Sequence, residues 1–202
     1  MSIEHSILAV ISFRPSSGYD IKSEFEHKAA GLFWGMSYGS LYPKLKKLEA
    51  DGFIVTIEAD TDGRKKKLYE LTKKGWGELD KWLGMTPSPP IIKDELFMKL
   101  ASWHSEMDLD LLALHLESRK NESGDLLKYI KEWRHNQKSY INSVGMLGIR
   151  YAELKLEAEL KWIDESLEAI NNQDMPDGQD PFGLEEELLK RRERAFKTLD
   201  KE

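Results

Sequence analysis

The sequence contains no cysteine, and this absence excludes several kinds of site. The chain of 202 residues can form no disulfide, no thiolate metal site and no cysteine nucleophile. It also lacks any run of 18 apolar residues, and its first residues have neither a basic region nor a cleavage site. We therefore expect no membrane span and no secretion signal, which predicts a cytoplasmic protein.

An excess of positive charge is also missing from the chain as a whole. The 30 Lys and Arg residues are outnumbered by 36 Asp and Glu, which gives a formal net charge of −6 at pH 7. The charges are unevenly distributed, because residues 1–84 carry 13 Lys and Arg against 12 Asp and Glu, and the rest carries 17 against 24. The N-terminal part is therefore the cationic one.

Signals for catalysis and metal binding are weak. The five histidines show no close pairing with other plausible ligands, and no glycine-rich phosphate loop or Ser-His-Asp pattern is recognisable. We therefore expect no enzyme, no metal and no cofactor, and the sequence assigns no ligand-binding residue.

The N-terminal part does contain three segments with apolar residues at helical spacing. The first helix is expected to end before Pro15, because the residue before a proline is pushed out of the α region. Ser17 can cap the second helix, and Gly52 is a natural stop for the third.

A hairpin and a fourth helix follow these segments. Two stretches of alternating polar and apolar residues flank Asp62 and Gly63, a dipeptide typical of a tight hairpin turn. Thr72 can cap the fourth helix. Three prolines between residues 87 and 90 then interrupt the pattern. We place the first domain at residues 1–84.

The third helix has two different faces. Leu41, Leu45 and Leu48 form an apolar stripe that is expected to face the core. The opposite face is small and basic and carries Gly39, Pro43, Lys46, Lys47 and Ala50. If Ser37 caps this helix, Pro43 should bend it, whereas with Ser40 as the cap the missing N–H of Pro43 costs nothing. Small residues let the backbone approach a ligand closely.

The order of these elements, three helices followed by a hairpin and a further helix, is that of a winged helix-turn-helix. The third helix of such a domain enters the DNA major groove, and its hairpin, the wing, reaches phosphates. We therefore predict a DNA-binding domain. The candidate contact residues are Ser37, Tyr38, Gly39, Ser40, Tyr42, Pro43, Lys46, Lys47, Arg64, Lys65, Lys66 and Lys67. The alternative is a winged-helix adaptor that binds protein and not DNA, but the basic outward face favours DNA.

Three motifs resemble the PadR family of transcriptional regulators: "GYDI" at 18 to 21, "YGSLYPKLKKLEADG" at 38 to 52 and "DGRKKKLYELTKKG" at 62 to 75. The resemblance implies a dimeric winged-helix regulator of double-stranded DNA operators, usually a repressor and sometimes an activator. The second half resembles the longer subgroup, whose C-terminal domain is similar to that of virulence-gene activators.

Residues 91–202 show almost purely helical patterns. We predict an α-helical dimerisation domain with a helical tail after about residue 183, and a fold that is mainly α with a small β-hairpin. A heptad-like spacing over 109–144 predicts one long helix, and its weak middle allows a break near 121–125.

The next helix, over 147–170, is apolar on two opposite faces. One face comprises Leu147, Tyr151, Leu154, Ala158 and Trp162. The other comprises Leu156, Leu160, Ile163, Leu167 and Ile170. A helix that is apolar on both sides has to be covered on both. We therefore predict a homodimer whose interface is the second face, which a folded monomer would expose.

A small aromatic effector that lowers DNA affinity is a further expectation, based partly on the resemblance. Trp103 near the proline-rich linker, with Trp133 and Arg150 in the helical domain, could hold a carboxylated ring between the two domains. The alternative is control by protein abundance without any effector.

Overall fold

The computed structural model describes residues 3–26, 41–61, 64–88, 94–135 and 141–199. These residues are mostly helical, with one two-stranded antiparallel hairpin, which confirms the predicted fold class. None of the helices in this part of the chain combines the length and apolar character needed to cross a bilayer. The chain divides into two compact units, Met1–Ile91 and Ile92–Glu202.

In its described residues the first unit has the predicted order of three helices, a hairpin and a fourth helix. Its elements are α1 (Ile3–Phe13), α2 (Gly18–Glu26), α3 (Leu41–Ala50), β1 (Ile54–Thr61), β2 (Arg64–Leu71) and α4 (Lys73–Leu83). The strands pair in the register that joins Ile54 to Leu71 and Thr61 to Arg64. The expected turn residues 62 and 63, and the expected caps Ser37 and Ser40 of α3, lie outside the described residues.

Local signals fix the ends of these helices as expected. At the start of α2 the Ser17 hydroxyl accepts the Asp20 N–H at 3.1 Å, and the Asp20 carboxylate accepts the Ser17 N–H at 3.0 Å. After α3, Gly52 takes a left-handed φ of 76°, which ends the helix. Thr72 caps α4 by accepting the Gly75 N–H at 3.1 Å.

The core of the first unit lies between the apolar stripes of its helices and one end of the hairpin. Leu45 of α3 and Ile7 of α1 are fully buried there. The other main members are Leu8, Ile11, Ile21, Phe25, Leu41, Leu48, Ile54, Leu71 and Leu79. This core anchors the apolar side of α3 and leaves its other side exposed.

The second unit consists of α5 (Glu95–Ala101), α6 (Leu109–His135), α7 (Ser143–Asn172) and α8 (Leu184–Leu199) in its described part. The weak middle that would allow a break near 121–125 does not interrupt the helix, because α6 continues through this stretch. Buried Ser123 donates its hydroxyl to Glu159 of α7 at 2.9 Å, and Arg119 donates to the same carboxylate at 3.4 Å. Polar contacts therefore replace the missing heptad leucines.

Helices α6 and α7 are antiparallel neighbours and bury one face of α7. Leu156 is 2% exposed and Ile163 is 0% exposed, and Leu167 and Ile170 are also buried. The surroundings of Ile163, Leu167 and Ile170 include Leu96 of α5 and Leu112 and Leu116 of α6. The expectation that one chain exposes Leu156, Leu160, Ile163, Leu167 and Ile170 as a dimer interface is wrong, because α6 is long enough to cover this stripe within the same chain. Leu160 is half-buried.

The opposite face of α7 is the one left uncovered. Val144, Leu147, Tyr151 and Leu154 form a stripe there, which we call the exposed α7 face. Leu147 is 70% exposed, Tyr151 67% and Leu154 49%. The sequence thus identifies the two faces of this helix, but the neighbour that covers one of them decides which face remains free.

We expect Gly75→Ala to destabilise the first unit by about 1–3 kcal/mol, because the new methyl group would have no room at this position. A Cβ atom on Gly75 would lie 2.0 Å from the Phe53 carbonyl oxygen. That oxygen cannot move freely, since it accepts the Thr72 N–H at 3.1 Å and the Thr72 hydroxyl at 3.2 Å. Urea unfolding followed by circular dichroism measures the change.

The matched control is Gly77→Ala in the same helix. A Cβ atom on Gly77 would meet no atom of the described residues within 4 Å. The free energy of unfolding of this variant should rise by about 0.5–1 kcal/mol, the usual advantage of alanine over glycine in a helix. Equal stability of Gly75→Ala and the unmodified protein would contradict the close approach of α4 to Phe53.

Candidate functional site

The side of α3 that points away from the core carries four predicted contact residues, Tyr42, Pro43, Lys46 and Lys47, all of them exposed. The other side is held by Leu41, Leu45 and Leu48, none of which is more than 4% exposed. The predicted division of this helix into an apolar and a basic face is therefore confirmed. Since Pro43 has a short side chain, the backbone of α3 can come close to a ligand at this point.

The lysines of α3 differ in their ion pairs. Lys44 lies 2.6 Å from the Glu4 carboxylate of α1, and Lys47 lies 4.0 Å from the same oxygen. Lys46 makes no ion pair with any residue that the structure describes. Lys46 and, more weakly paired, Lys47 are therefore the α3 cations most available to an anionic ligand.

Lys66 of the wing is tied to the start of α2. Its ammonium group donates to the Asp20 carboxylate at 2.8 Å, and the Ser17 hydroxyl donates to the same oxygen at 2.6 Å. The hydrogen bond from Lys66, followed by that from Ser17, lowers the pKa of Asp20 to about 2. Two backbone hydrogen bonds between Ser16 and Tyr69, of 3.1 and 2.9 Å, join the same elements. The wing is thereby fixed on α2.

Lys67 connects the wing to α3. Its ammonium group lies 3.8 Å from the Glu49 carboxylate and 5.0 Å from the centre of the Tyr69 ring. The Thr56 hydroxyl of β1 also donates to Glu49. Lys66 and Lys67 therefore both carry a positive charge at the wing and hold it in place.

Other predicted contact residues cannot be placed in the same detail. Ser37, Tyr38, Gly39 and Ser40 lie outside the described residues, and of Arg64 and Lys65 the structure describes only the strand backbone. They remain predictions.

The acidic partners of the basic residues were not predicted. Glu4, Asp20 and Glu49 each form an ion pair with a lysine from a distant part of the chain. The Ser17-x-x-Asp20 pattern does predict a helix cap. Nothing in the local sequence, however, shows that Lys66 reaches the same carboxylate.

The second unit contains a cavity of about 300 Å³. Its lining is mostly apolar and includes Leu100, Leu112, Leu116, Trp162, Ala169, Ile170, Met175 and Pro176. Glu165 and Ser166 are the polar side chains in this lining, and the Ser166 hydroxyl already donates to the Trp162 carbonyl at 2.8 Å. The cavity suits a small, mainly apolar molecule.

Arg150, expected to hold an effector carboxylate, is paired within its own helix. It donates to Glu153 at 3.0 Å, and Arg134 of α6 donates to the same carboxylate at 3.1 Å. Burial by itself would raise the pKa of Glu153, but the hydrogen bonds from Arg150 and Arg134 outweigh it and hold the pKa below its ordinary value. The charge of Arg150 is therefore largely compensated.

A basic third helix with a buried apolar side, and a hairpin fixed beside it, define a winged helix-turn-helix, a class of DNA-binding domain. The model of the transcriptional regulator PadR-like family matches residues 7–81. The negative transcriptional regulator PadR of Bacillus subtilis (strain 168) is 35% identical over 130 residues, which span 61% of this chain and 70% of that protein. The chain belongs to the PadR-like family of transcriptional regulators.

Two solved structures of Bacillus subtilis PadR extend the similarity to the second unit. The crystal structure with operator DNA has a TM-score of 0.66 and 27% identity, and the match covers 83% of this chain and 98% of that one. The crystal structure with p-coumaric acid has a TM-score of 0.62 and 27% identity, covering 84% and 98%. The predicted family is confirmed, and so is the prediction of a regulator, since members of this family are transcriptional regulators and not enzymes.

Proposed function

We propose that this protein is a cytoplasmic repressor that binds a specific operator as a homodimer. The observation that carries the proposal is the exposed face of α3, with Tyr42, Lys46 and Lys47 directed away from a well-packed core. The similar PadR of Bacillus subtilis is a negative regulator and has been crystallised with operator DNA. In this chain α3 would lie in the major groove.

The proposed contacts divide into two kinds. Lys46, Lys47 and the wing residues Arg64 to Lys67 bind phosphates, which gives affinity without sequence preference. Tyr42 and Pro43, together with the contact residues predicted from the sequence at 37–40, give specificity. Because Lys66 and Lys67 already have carboxylate partners, each contributes less to DNA affinity than an unpaired lysine would.

A winged-helix adaptor that binds protein and not DNA is less well supported. The exposed side of α3 offers two lysines and a tyrosine, whereas a protein-binding helix would present mainly apolar anchors. The operator complex of the similar PadR also favours DNA as the ligand.

We expect Lys46→Ala combined with Lys47→Ala to weaken binding to duplex DNA and to reduce its salt dependence. Each lost phosphate contact should remove about 0.9 from the slope of log affinity against log salt. Fluorescence anisotropy with duplexes from the region upstream of the gene, at several KCl concentrations, measures both quantities.

The matched control for the DNA experiment is Lys128→Ala combined with Lys155→Ala. Both lysines are exposed in the second unit, so the change in net charge is the same. This control should retain the affinity and the salt slope. Equal slopes for the two double variants would contradict the placement of DNA on α3.

The exposed α7 face is the proposed homodimer interface, in place of the buried stripe first expected. Leu147, Tyr151 and Leu154 together form an apolar patch of the kind that usually marks an interaction site. A two-fold dimer also fits the proposed mode of binding, because two recognition helices then meet half-sites about 34 Å apart on DNA.

Leu147→Glu combined with Leu154→Glu should give a folded monomer, because two charges per chain would then face each other in the interface. Light scattering measures the mass, and circular dichroism should show unchanged helix content. In contrast, Ile163→Glu should unfold the second unit, since Ile163 is 0% exposed and the new carboxylate would be buried. A stable dimer of the double variant would argue against this interface.

A small aromatic effector that releases the repressor from DNA is the second part of the proposal. The similar PadR has been crystallised with p-coumaric acid. The cavity of about 300 Å³ in the second unit is a candidate site, because it lies at the lower end of the usual size range for small-molecule pockets. Trp162 in its wall can stack on an aromatic ring.

We expect p-coumaric acid to quench tryptophan fluorescence and to weaken the complex with operator DNA. The variant Ala169→Leu, which adds bulk to the cavity wall, should lose both effects while binding DNA normally. If the acid still releases the variant from DNA, the effector site lies elsewhere. If neither this acid nor related phenolic acids act on the unmodified protein, control by protein abundance is the better explanation.

A further inference from the structure

Gly18, the first residue of α2, lies directly against the ring of Tyr42 on α3. A Cβ atom on Gly18 would lie 2.9 Å from Tyr42 Cε1 and 3.6 Å from Tyr42 Cδ1. The nearest other atom, Leu45 Cδ1, would be at an ordinary contact distance of 3.5 Å. The space above Gly18 is therefore occupied by the tyrosine ring.

The backbone gives no separate reason for glycine at this position. Among the described glycines only Gly52 and Gly183 have a positive φ, so the conformation of Gly18 is open to any L residue. Gly18 also begins a helix, where alanine is favourable. The close approach of Tyr42 is thus the physical constraint that the structure shows at this site.

The start of α2 is held firmly on both sides of Gly18. Ser16 makes two backbone hydrogen bonds to Tyr69 of the wing, and Asp20 accepts the hydrogen bond from Lys66. The Tyr42 ring, in contrast, is on the surface, with 55% of the residue exposed. A methyl group added to Gly18 would therefore displace the tyrosine ring and not the helix.

We propose that Gly18 is a positioning residue for DNA recognition, which allows the Tyr42 ring to pack on α2 and so fixes the direction of its hydroxyl group. This inference rests on the proposed DNA-binding function. A side chain held in one rotamer loses less conformational entropy when it binds. Because the start of α2 is also bonded to the wing, Gly18 sets Tyr42 in a defined position relative to the wing as well.

The proposal separates stability from DNA binding. Gly18→Ala should leave the unfolding midpoint in urea unchanged or slightly higher, because alanine restricts the unfolded chain and the clash involves only a movable surface ring. The same variant should bind its operator about five- to tenfold more weakly, the order expected for one misplaced recognition side chain.

A double-mutant cycle tests the proposal. Operator affinity is measured for the unmodified protein, Gly18→Ala, Tyr42→Ala and the combination, with Gly77→Ala as a glycine-to-alanine control on the exposed surface of α4. Tyr42→Ala should weaken binding at least as much as Gly18→Ala. In the Tyr42→Ala background, Gly18→Ala should have no further effect, and Gly77→Ala should bind normally.

Three results would overturn the inference: normal operator binding by Gly18→Ala, an undiminished effect of Gly18→Ala when Tyr42 is already alanine, or a marked loss of stability in Gly18→Ala. The Lys46→Ala and Lys47→Ala double variant separates this failure from failure of the proposed function. If it weakens DNA binding while Gly18→Ala does not, only the role of Gly18 is refuted. If the unmodified protein binds no duplex specifically, the proposed function itself fails.

Discussion

The carboxylate of Asp20 joins two parts of the first unit, α2 and the wing, on which the proposed DNA-binding surface depends. It caps α2 through Ser17 and accepts a hydrogen bond from Lys66 of the wing, and its lowered pKa keeps it charged even in acidic solution. An exposed ion pair alone contributes only about 0–1 kcal/mol, and a helix cap about 1 kcal/mol. The value of the arrangement therefore lies in its geometry, because it fixes the orientation of the wing relative to α2.

The acidic residues that face the basic ones also shape the electrostatics. Glu4, Asp20 and Glu49 neutralise part of the charge of Lys44, Lys66 and Lys67, and the second half of the chain carries more acidic than basic residues. Among the lysines of α3 and the wing whose side chains the structure describes, the proposed attraction to DNA is therefore strongest around Lys46 and Lys47. A protein of this kind gains little from its net charge and depends on a good local fit.

The sequence predicts features that arise within a few residues and misses those that need a distant partner. The caps at Ser17, Gly52 and Thr72, the hairpin and the two faces of α3 all follow from local patterns, and all are found. Which face of α7 stays exposed depends on α6, and the contact of Gly18 with Tyr42 spans two helices. Periodicity gives the direction of a side chain but does not identify its neighbour.

The exposed α7 face has a consequence for the coexistence of related regulators in one cell. In the proposed two-fold dimer each residue of that face would occur twice, so one mutation would change two positions of the interface at once. Leu147, Tyr151 and Leu154 offer few positions at which one family member can differ from another. After a gene duplication, the two proteins would therefore continue to form mixed dimers until substitutions on this stripe prevented it. Until then, the mixed dimers would bind hybrid operators.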